Sequence, residues 1–222
     1  MDVLVSMAVV ALLVGLTLPS MTMVRETTHR VVCSSNARQL GLGVAMYSDD
    51  YKGWIPRTAQ DGSERQDDGS ARESLIIVRL GAPLNTWDGL GWLYKAYLSA
   101  PGVYYCPSHW GNHDFSKYAK TWDLPPNGGE IVANYQYRGD GADGVGQLFR
   151  MDPRLALVAD GMRDSSDYNH RNGTNVFHAD MSVAWFSDPT GRFTELVSRD
   201  NNGGNSGDRI GDLWRMLDGG KK

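Results

Sequence analysis

The chain has 222 residues, 41% of them hydrophobic, and its 22 basic and 26 acidic residues give a formal net charge of −4. This length suffices for one domain with a sizeable core plus an appendage. An acidic chain without a basic cluster argues against nucleic acid as a partner. Two cysteines, Cys33 and Cys106, are too few for a disulfide scaffold but enough for one bridge.

The chain begins with an apolar segment, in which no residue between Val3 and Met23 is charged. A helix of this length spans roughly 30 Å, about the hydrocarbon thickness of a bilayer. The Asp2 carboxylate at its edge is costly to bury and needs a cationic partner, yet no Lys or Arg precedes Arg25. The partner therefore has to be a terminal amine or another chain. The pattern predicts a helix that lies first in a bilayer and then in an assembly.

The helical pattern continues beyond Pro19. Apolar residues recur at helical spacing on a single stripe, namely Cys33, Ala37, Leu40, Val44 and Tyr47. We predict one helix from Met1 to near Asp50, apolar in its first half (residues 1–23) and amphipathic in its second (24–52). The second half is expected to pack on a globular head formed by residues 53–222. Pro19 removes one backbone hydrogen bond and, with Gly15 nearby, is expected to kink or loosen the helix.

The later part of the chain carries mostly strand signals. Residues 57–74 are polar and predict a surface loop, and residues 90–98 predict a short amphipathic helix. Strands are predicted at 103–106, 131–137, 147–150 and 155–160, and as a hairpin of 174–179 with 182–186. A terminal amphipathic segment follows at 210–217. The order of long helix, mixed middle and antiparallel sheet with long loops predicts an α+β fold.

Several segments together resemble one protein superfamily. Residues 33–41 read Cys-Ser-Ser-Asn-Ala-Arg-Gln-Leu-Gly, and residues 89–98 read Gly-Leu-Gly-Trp-Leu-Tyr-Lys-Ala-Tyr-Leu. His170 and Asp180 are separated by nine residues, and Asp2 stands seventeen residues before Pro19. The chain thus resembles the type IV pilins and type II secretion pseudopilins. It is most similar to the pilin-like proteins of Planctomycetes and related bacteria that carry a prepilin-type N-terminal methylation segment.

Two positions depart from the pattern of that group. Asp2 takes the place of the family glutamate, and Met181 takes the place of the glycine in its His-x9-Asp-Gly hairpin. The first change keeps the carboxylate chemistry, and the second alters only a turn. By the same alignment, the family's leader and three mature residues would precede Met1.

The resemblance implies a structural role without enzymatic activity. After cleavage by a prepilin peptidase, such a chain leaves the inner membrane with the help of an assembly machinery. It then polymerises with copies of itself into a cell-surface filament. In the filament core, Asp2 would neutralise the N-terminal ammonium of a neighbouring subunit. Gly15 and Pro19 would mark the stretch that unwinds on assembly, with a simple kink as the alternative.

Two other functions stay open. The first is a pseudopilin of a periplasmic, type II secretion-like piston. The second is a membrane-tethered binding or enzymatic domain. Pro19 and the continuous stripe argue against a mere tether, which needs neither.

The two cysteines are predicted to form a disulfide that ties the helix to the sheet. Cys33 lies on the apolar stripe, and Cys106 ends a predicted strand. Two buried thiols are the alternative. A cysteine metal site is not expected, because further ligands at a useful spacing are missing.

Two sets of residues are candidate metal ligands. The first set carries side chains that can bind a metal: His170, His178 and Asp180, with Asp160 as a fourth candidate. We prefer to interpret these residues as polar groups that fix a hairpin through hydrogen bonds. Asp200, Asn202 and Asp208 place oxygen ligands in a Gly/Asn-rich loop, as a Ca²⁺ site would, and some pseudopilins bind calcium in a late loop. That loop lacks the glycine register and terminal glutamate of an EF-hand, so a plain loop without a cofactor is preferred.

Overall fold

The computed structural model describes residues 2–57, 75–139, 146–162, 165–198 and 206–219. Helix α1 (Asp2–Asp50) comes first, followed by strand β1 (Leu75–Arg79) and the single-turn helix α2 (Phe115–Tyr118). Four strands and two helices follow: β2 (Ile131–Tyr137), β3 (Ala156–Asp160), β4 (Gly173–His178), β5 (Val183–Ser187), α3 (Arg192–Ser198) and α4 (Ser206–Leu217). The five strands form an antiparallel sheet in sequence order, which confirms the predicted α+β class.

The side chains of α1 are described in two stretches, residues 3–15 and 24–50. In the second stretch the predicted stripe faces the head, because Cys33, Ala37, Leu40 and Val44 are completely buried. This stripe packs against β3, β4 and β5. The 3.6-residue period of the helix therefore aligns one apolar face with one face of the sheet.

Gly41 allows a close approach between α1 and the sheet. A Cβ atom at this position would lie 2.2–2.3 Å from three ring atoms of Phe177 in β4, a side chain that is fully buried. Gly41→Ala is therefore expected to lower the free energy of unfolding by about 1–3 kcal/mol, the usual cost of overpacking a core. Chemical denaturation of the two proteins measures the difference.

The matched control is Gly102→Ala, because nothing lies within 4 Å of a Cβ atom there. The control variant should stay within about 0.5 kcal/mol of the parent protein. Equal stability of the Gly41 and Gly102 variants would contradict this packing of α1 on β4.

A second core cluster lies on the opposite face of the sheet. Val176 and Phe177 are neighbours in β4, but Val176 belongs to a cluster with residues of α3 and α4, whereas Phe177 packs with the α1 side. Since successive strand residues point to opposite faces, the sheet is covered on both sides. Trp214 of α4, which is fully buried, fills the second cluster.

Three sequence-based elements are wrong in type. The predicted strand at 103–106 is replaced by the 3₁₀ helix Pro101–Tyr104, since proline favours the first turn of a helix. The predicted strand at 147–150 is instead the 3₁₀ helix Leu148–Arg150. The predicted helix at 90–98 shrinks to the 3₁₀ helix Gly89–Leu93. There Gly91 lies so close to the backbone oxygen of Val78 that a Cβ atom would be 1.7 Å from it.

The sequence analysis missed β1 and α3. The predicted loop at 57–74 lies outside the described residues from position 58 onward.

The first stretch of α1 is uncovered. Its nine large apolar side chains between residues 3 and 14 are 49–74% exposed. Among the described residues, no helix combines the length and the apolar content that a membrane crossing requires.

Candidate functional site

A polar network that involves α1 lies where the helix meets the head. We call it the helix–head joint. Glu26 and Cys33 come from α1, and Cys106 and Ser108 come from the segment after the 3₁₀ helix Pro101–Tyr104. Asp160 lies at the end of β3, and His170 lies in the segment before β4.

Helical spacing explains why α1 supplies two of these residues. Cys33 is the first apolar residue of the buried stripe, and steps of three and four residues toward the N-terminus reach Arg30 and Glu26. The guanidinium of Arg30 stacks 3.4 Å from the ring centroid of Trp185 in β5, a cation–π contact. On the face of α1 that carries the buried stripe, Arg30 and Glu26 therefore also contact the head.

A disulfide joins Cys33 to Cys106, with the two Cα atoms 5.3 Å apart. It closes a loop with a sequence separation of 73 residues. In the chain-entropy model, such a bridge stabilises the folded state by about 4 kcal/mol. The α1 helix is thus covalently attached to the head at the joint.

His170 connects three elements through its two ring nitrogens. Nδ1 lies 2.7 Å from Oε1 of Glu26, and Nε2 lies 3.4 Å from Oδ2 of Asp160 and 3.5 Å from Sγ of Cys106. The imidazole is completely buried and Asp160 is almost so, whereas the Glu26 side chain keeps 46% of its surface exposed. One ring therefore bridges α1 and the end of β3.

The two carboxyl groups of the joint have opposite pKa shifts. Burial tends to raise the pKa of Glu26, but hydrogen bonds from His170 and Ser108 outweigh burial and lower it. Burial raises the pKa of Asp160, although His170 and the hydrogen bonds from Asn175 partly oppose this. The backbone N–H and side-chain amide of Asn175 both donate to Oδ2 of Asp160, at 2.7 and 2.9 Å.

Ser108 completes the connection between the helix and the head. Its hydroxyl donates to Oε2 of Glu26 at 2.8 Å, and Nδ1 of His29 lies 3.2 Å from the same hydroxyl oxygen. A surface depression of about 430 Å³ borders Glu26, Ser108 and His170. Ser108 and His170 both bind the Glu26 carboxylate, and the ring of His170 is closed to solvent, so this geometry favours a structural role over substrate chemistry.

The residues of the His-x9-Asp pair have separate roles. His170 belongs to the joint, whereas the Asp180 carboxylate accepts a hydrogen bond from the Ser182 backbone N–H in the β4–β5 turn, at 2.9 Å. Met181 has a φ of 69°, the left-handed region in which glycine is favoured. His178 is further removed, with Nε2 3.4 Å from the backbone oxygen of Leu217.

The ligand set around His170 is not assembled as the sequence suggested, and the set around Asp200 lies largely outside the described residues. Among the described residues, His170 lies with Asp160 and the two cysteines, and neither His178 nor Asp180 joins a cluster of metal-ligating side chains. Asp200 and Asn202 lie outside the described residues, and the backbone of Asp208 is helical in α4. Because the cysteines are bridged, their sulfur atoms are not available as thiolate ligands.

No family model, curated protein or solved structure matches this chain. The resemblance to pilins therefore stays a prediction that depends on the sequence motifs.

Besides Ser108, Glu26 is the residue of the helix–head joint that the sequence did not predict. A backward extension of the apolar stripe would have found it, since positions 26, 30 and 33 share one helix face. Its partner His170 is 144 residues away in sequence, so the local sequence pattern around Glu26 does not indicate that the two residues are in contact. Asp2, Gly15 and Pro19 lie within α1, but the side chains of Asp2 and Pro19 are outside the described set, so their assembly roles stay predictions.

Proposed function

We propose that this protein is a structural subunit of a type IV pilus-like filament and polymerises through the N-terminal stretch of α1. The observation that carries the proposal is the uncovered apolar surface between residues 3 and 14, where large side chains are 49–74% exposed. An exposed apolar surface of this kind marks a site of contact with another protein or with lipid.

We expect copies of the same helix to cover this apolar surface. Ser6 is the only polar side chain among residues 3–15, and its hydroxyl donates to the backbone oxygen of Val3, so it stays satisfied in an apolar environment. A bundle of such helices buries the apolar surface without leaving unpaired polar groups. The prepilin-like motifs add a reason for repeated copies rather than a single partner.

The helix–head joint supports the same role. A subunit in a filament is held through its core helix, while forces act on its exposed head. A disulfide and a buried His170 bridge attach the two parts firmly. A helix that served only as a tether would need no such attachment.

The proposal includes a cellular path. The chain is held in the inner membrane, is processed by a prepilin peptidase and is passed by an assembly machinery into a cell-surface filament. Residues 1–23 form the filament core, residues 24–52 pack on the head, and residues 53–222 form the outer layer. This function requires neither a cofactor nor catalytic residues.

Replacement of Asp2 by alanine tests the assembly mechanism. If Asp2 neutralises a neighbouring terminal ammonium, Asp2→Ala leaves that ammonium unpaired in a low-dielectric core. The yield of sheared fibres should fall by roughly tenfold or more, since a loss of 1.4 kcal/mol already changes an equilibrium tenfold. Immunoblots of the sheared fraction and of the cell envelope measure the yield.

Asp49→Ala is the matched control, because Asp49 is an exposed acid near the other end of the same helix. It should leave the fibre yield unchanged. Normal fibres with Asp2→Ala would contradict the pairing. Short periplasmic assemblies that depend on Asp2 would favour the pseudopilin instead, and unchanged envelope protein without any assembly would favour the tethered domain.

A further inference from the structure

A second cluster of ligand-type side chains lies on the head, apart from the helix–head joint. It consists of His109 and His113, in the segment between the 3₁₀ helix Pro101–Tyr104 and α2, and Asp167, in the segment between β3 and β4. One ligand atom from each residue lies within 4.8 Å of the other two. The His113 side chain is 17% exposed and that of Asp167 is 2% exposed, so the cluster is largely buried but remains accessible to solvent.

The two segments are held together independently of these three side chains. The indole N–H of Trp110 donates to the backbone oxygen of Tyr168 at 3.1 Å. Gly111 permits a close approach, because a Cβ atom there would lie 2.5 Å from the backbone oxygen of Ser166. The contact between the segments is therefore built into the backbone.

Asn134 of β2 fixes both segments to the sheet. Its side-chain amide donates to the backbone oxygen of His113 at 2.8 Å, and its backbone oxygen accepts a hydrogen bond from the amide of Asn169 at 3.1 Å. Cys106 also donates its backbone N–H to the side-chain oxygen of Asn134. The cluster thus stands on a rigid support, which is what a preorganised ligand site requires.

The hydrogen bonds of His109 determine which ring nitrogen carries the proton and which one has a lone pair that could bind a cation in place of its present donor. Nδ1 lies 2.8 Å from Oδ1 of Asn169, an oxygen that only accepts, so Nδ1 carries the proton. Nε2 is then unprotonated and accepts the backbone N–H of His113 at 3.3 Å.

The second histidine is spaced from the carboxylate as two ligands of one ion would be. Nδ1 of His113 and Oδ1 of Asp167 are 3.2 Å apart. Two ligands on a tetrahedral zinc ion with bonds near 2.05 Å are separated by roughly 3.3 Å. An ion between these atoms would replace the proton that they now share.

We propose that His109, His113 and Asp167 bind a divalent transition-metal ion of the Zn²⁺ class, with water in the remaining coordination position. Two imidazoles and one carboxylate suit zinc better than the oxygen-seeking ions Ca²⁺ and Mg²⁺. Asn169 orients the His109 ring by accepting a hydrogen bond from its Nδ1–H, as is usual for the non-ligating nitrogen of a metal-binding histidine. The ion would link the segment after Cys106 to the segment before β4 and so stabilise the head.

Metal titration of the full chain tests this site. Protein extracted in mild detergent and stripped with a chelator is titrated with Zn²⁺ against a chromophoric zinc indicator, and Co²⁺ is added separately as a spectroscopic probe. We expect one Zn²⁺ per chain, visible d–d bands with Co²⁺, and a higher Tm in the presence of Zn²⁺. His113→Gln and Asp167→Asn should each weaken Zn²⁺ binding by roughly tenfold or more.

His178→Gln is the matched control, since His178 is half-buried and belongs to neither ligand cluster. It should bind Zn²⁺ like the parent chain. The thermal unfolding of each variant in chelator shows whether the protein is folded before metal is added. Absence of Co²⁺ bands in the parent chain, or equal Zn²⁺ affinity in all folded variants, would overturn the proposal.

Discussion

Val10→Lys is expected to abolish fibre formation while leaving the head folded. Val10 is 58% exposed on the uncovered stretch of α1, where it borders a shallow apolar groove with Met7, Ala11 and Val14. If neighbouring helices cover this groove in the filament, the new ammonium is buried without a partner. A lysine at the centre of an apolar environment costs roughly 3 kcal/mol per subunit, and in a polymer every subunit incurs that cost.

Electron microscopy and immunoblots of the sheared fraction measure the effect of Val10→Lys. The envelope content of the protein is measured in the same cells, to separate failed assembly from failed synthesis or insertion. Val10→Ile is the matched control, because it keeps the site apolar, and it should form fibres normally. Fibres of normal yield from Val10→Lys would show that this surface is not covered in the assembly.

His170→Ala is expected to destabilise the head by roughly 3 kcal/mol or more at pH 7. The substitution removes the ring that lies between Glu26 and Asp160, and it leaves the buried Asp160 carboxyl without its imidazole neighbour. Breaking a buried pair in this way usually costs about 3–5 kcal/mol. Urea denaturation with the disulfide intact measures the difference.

The cost of His170→Ala should shrink in acid. Glu26 has a lowered pKa in the folded protein, so its stabilising contribution is complete above the unfolded value, near 4.3, and is lost as the pH falls through the folded value. Asp160 has a raised pKa, so its charged form is penalised increasingly as the pH rises through the folded value. Without His170 the stabilising contribution of Glu26 is reduced and the penalty on charged Asp160 grows at neutral pH, and both differences disappear once the carboxyls are protonated. The unfolding curves of parent and variant should therefore approach each other below about pH 4.

His178→Ala serves as the matched control for His170→Ala. His178 has one long contact, 3.4 Å from Nε2 to a backbone oxygen, so its loss should cost less than about 1 kcal/mol. A pairwise cycle with Glu26→Gln then measures how strongly His170 and Glu26 are coupled. Equal losses for the two histidine variants, or a difference independent of pH, would contradict the bridging role of His170.

The sequence predicted those parts of the fold that follow from local periodicity. The stripe from Cys33 to Val44 is buried as expected, because a helix repeats every 3.6 residues and one face must meet the sheet. The strand Ile131–Tyr137 was predicted at its exact bounds, since β-branched and aromatic residues dominate it. The β4–β5 hairpin was predicted within one residue at either end.

Tertiary contacts decided the parts that the sequence did not predict. The segment 90–98 has an amphipathic pattern, but Gly91 must pack on β1, and Lys95 adopts a φ of 65°, so a regular helix cannot form. The cluster of His109, His113 and Asp167 was overlooked because Asp167 is 54 residues from His113 in sequence. Residues that meet only through the sheet leave no periodic signal.

The central claim is that the protein polymerises through the helix in residues 3–15, and a reconstruction of native fibres tests it most directly. Fibres sheared from producing cells are imaged by cryo-electron microscopy, and their subunit is identified by peptide mass spectrometry. We expect ordered fibres of this chain, with the apolar stretch of α1 packed against its copies in the core and the heads outside. Fibres without this chain, or fibres of this chain in which residues 3–15 remain on the surface, would contradict it.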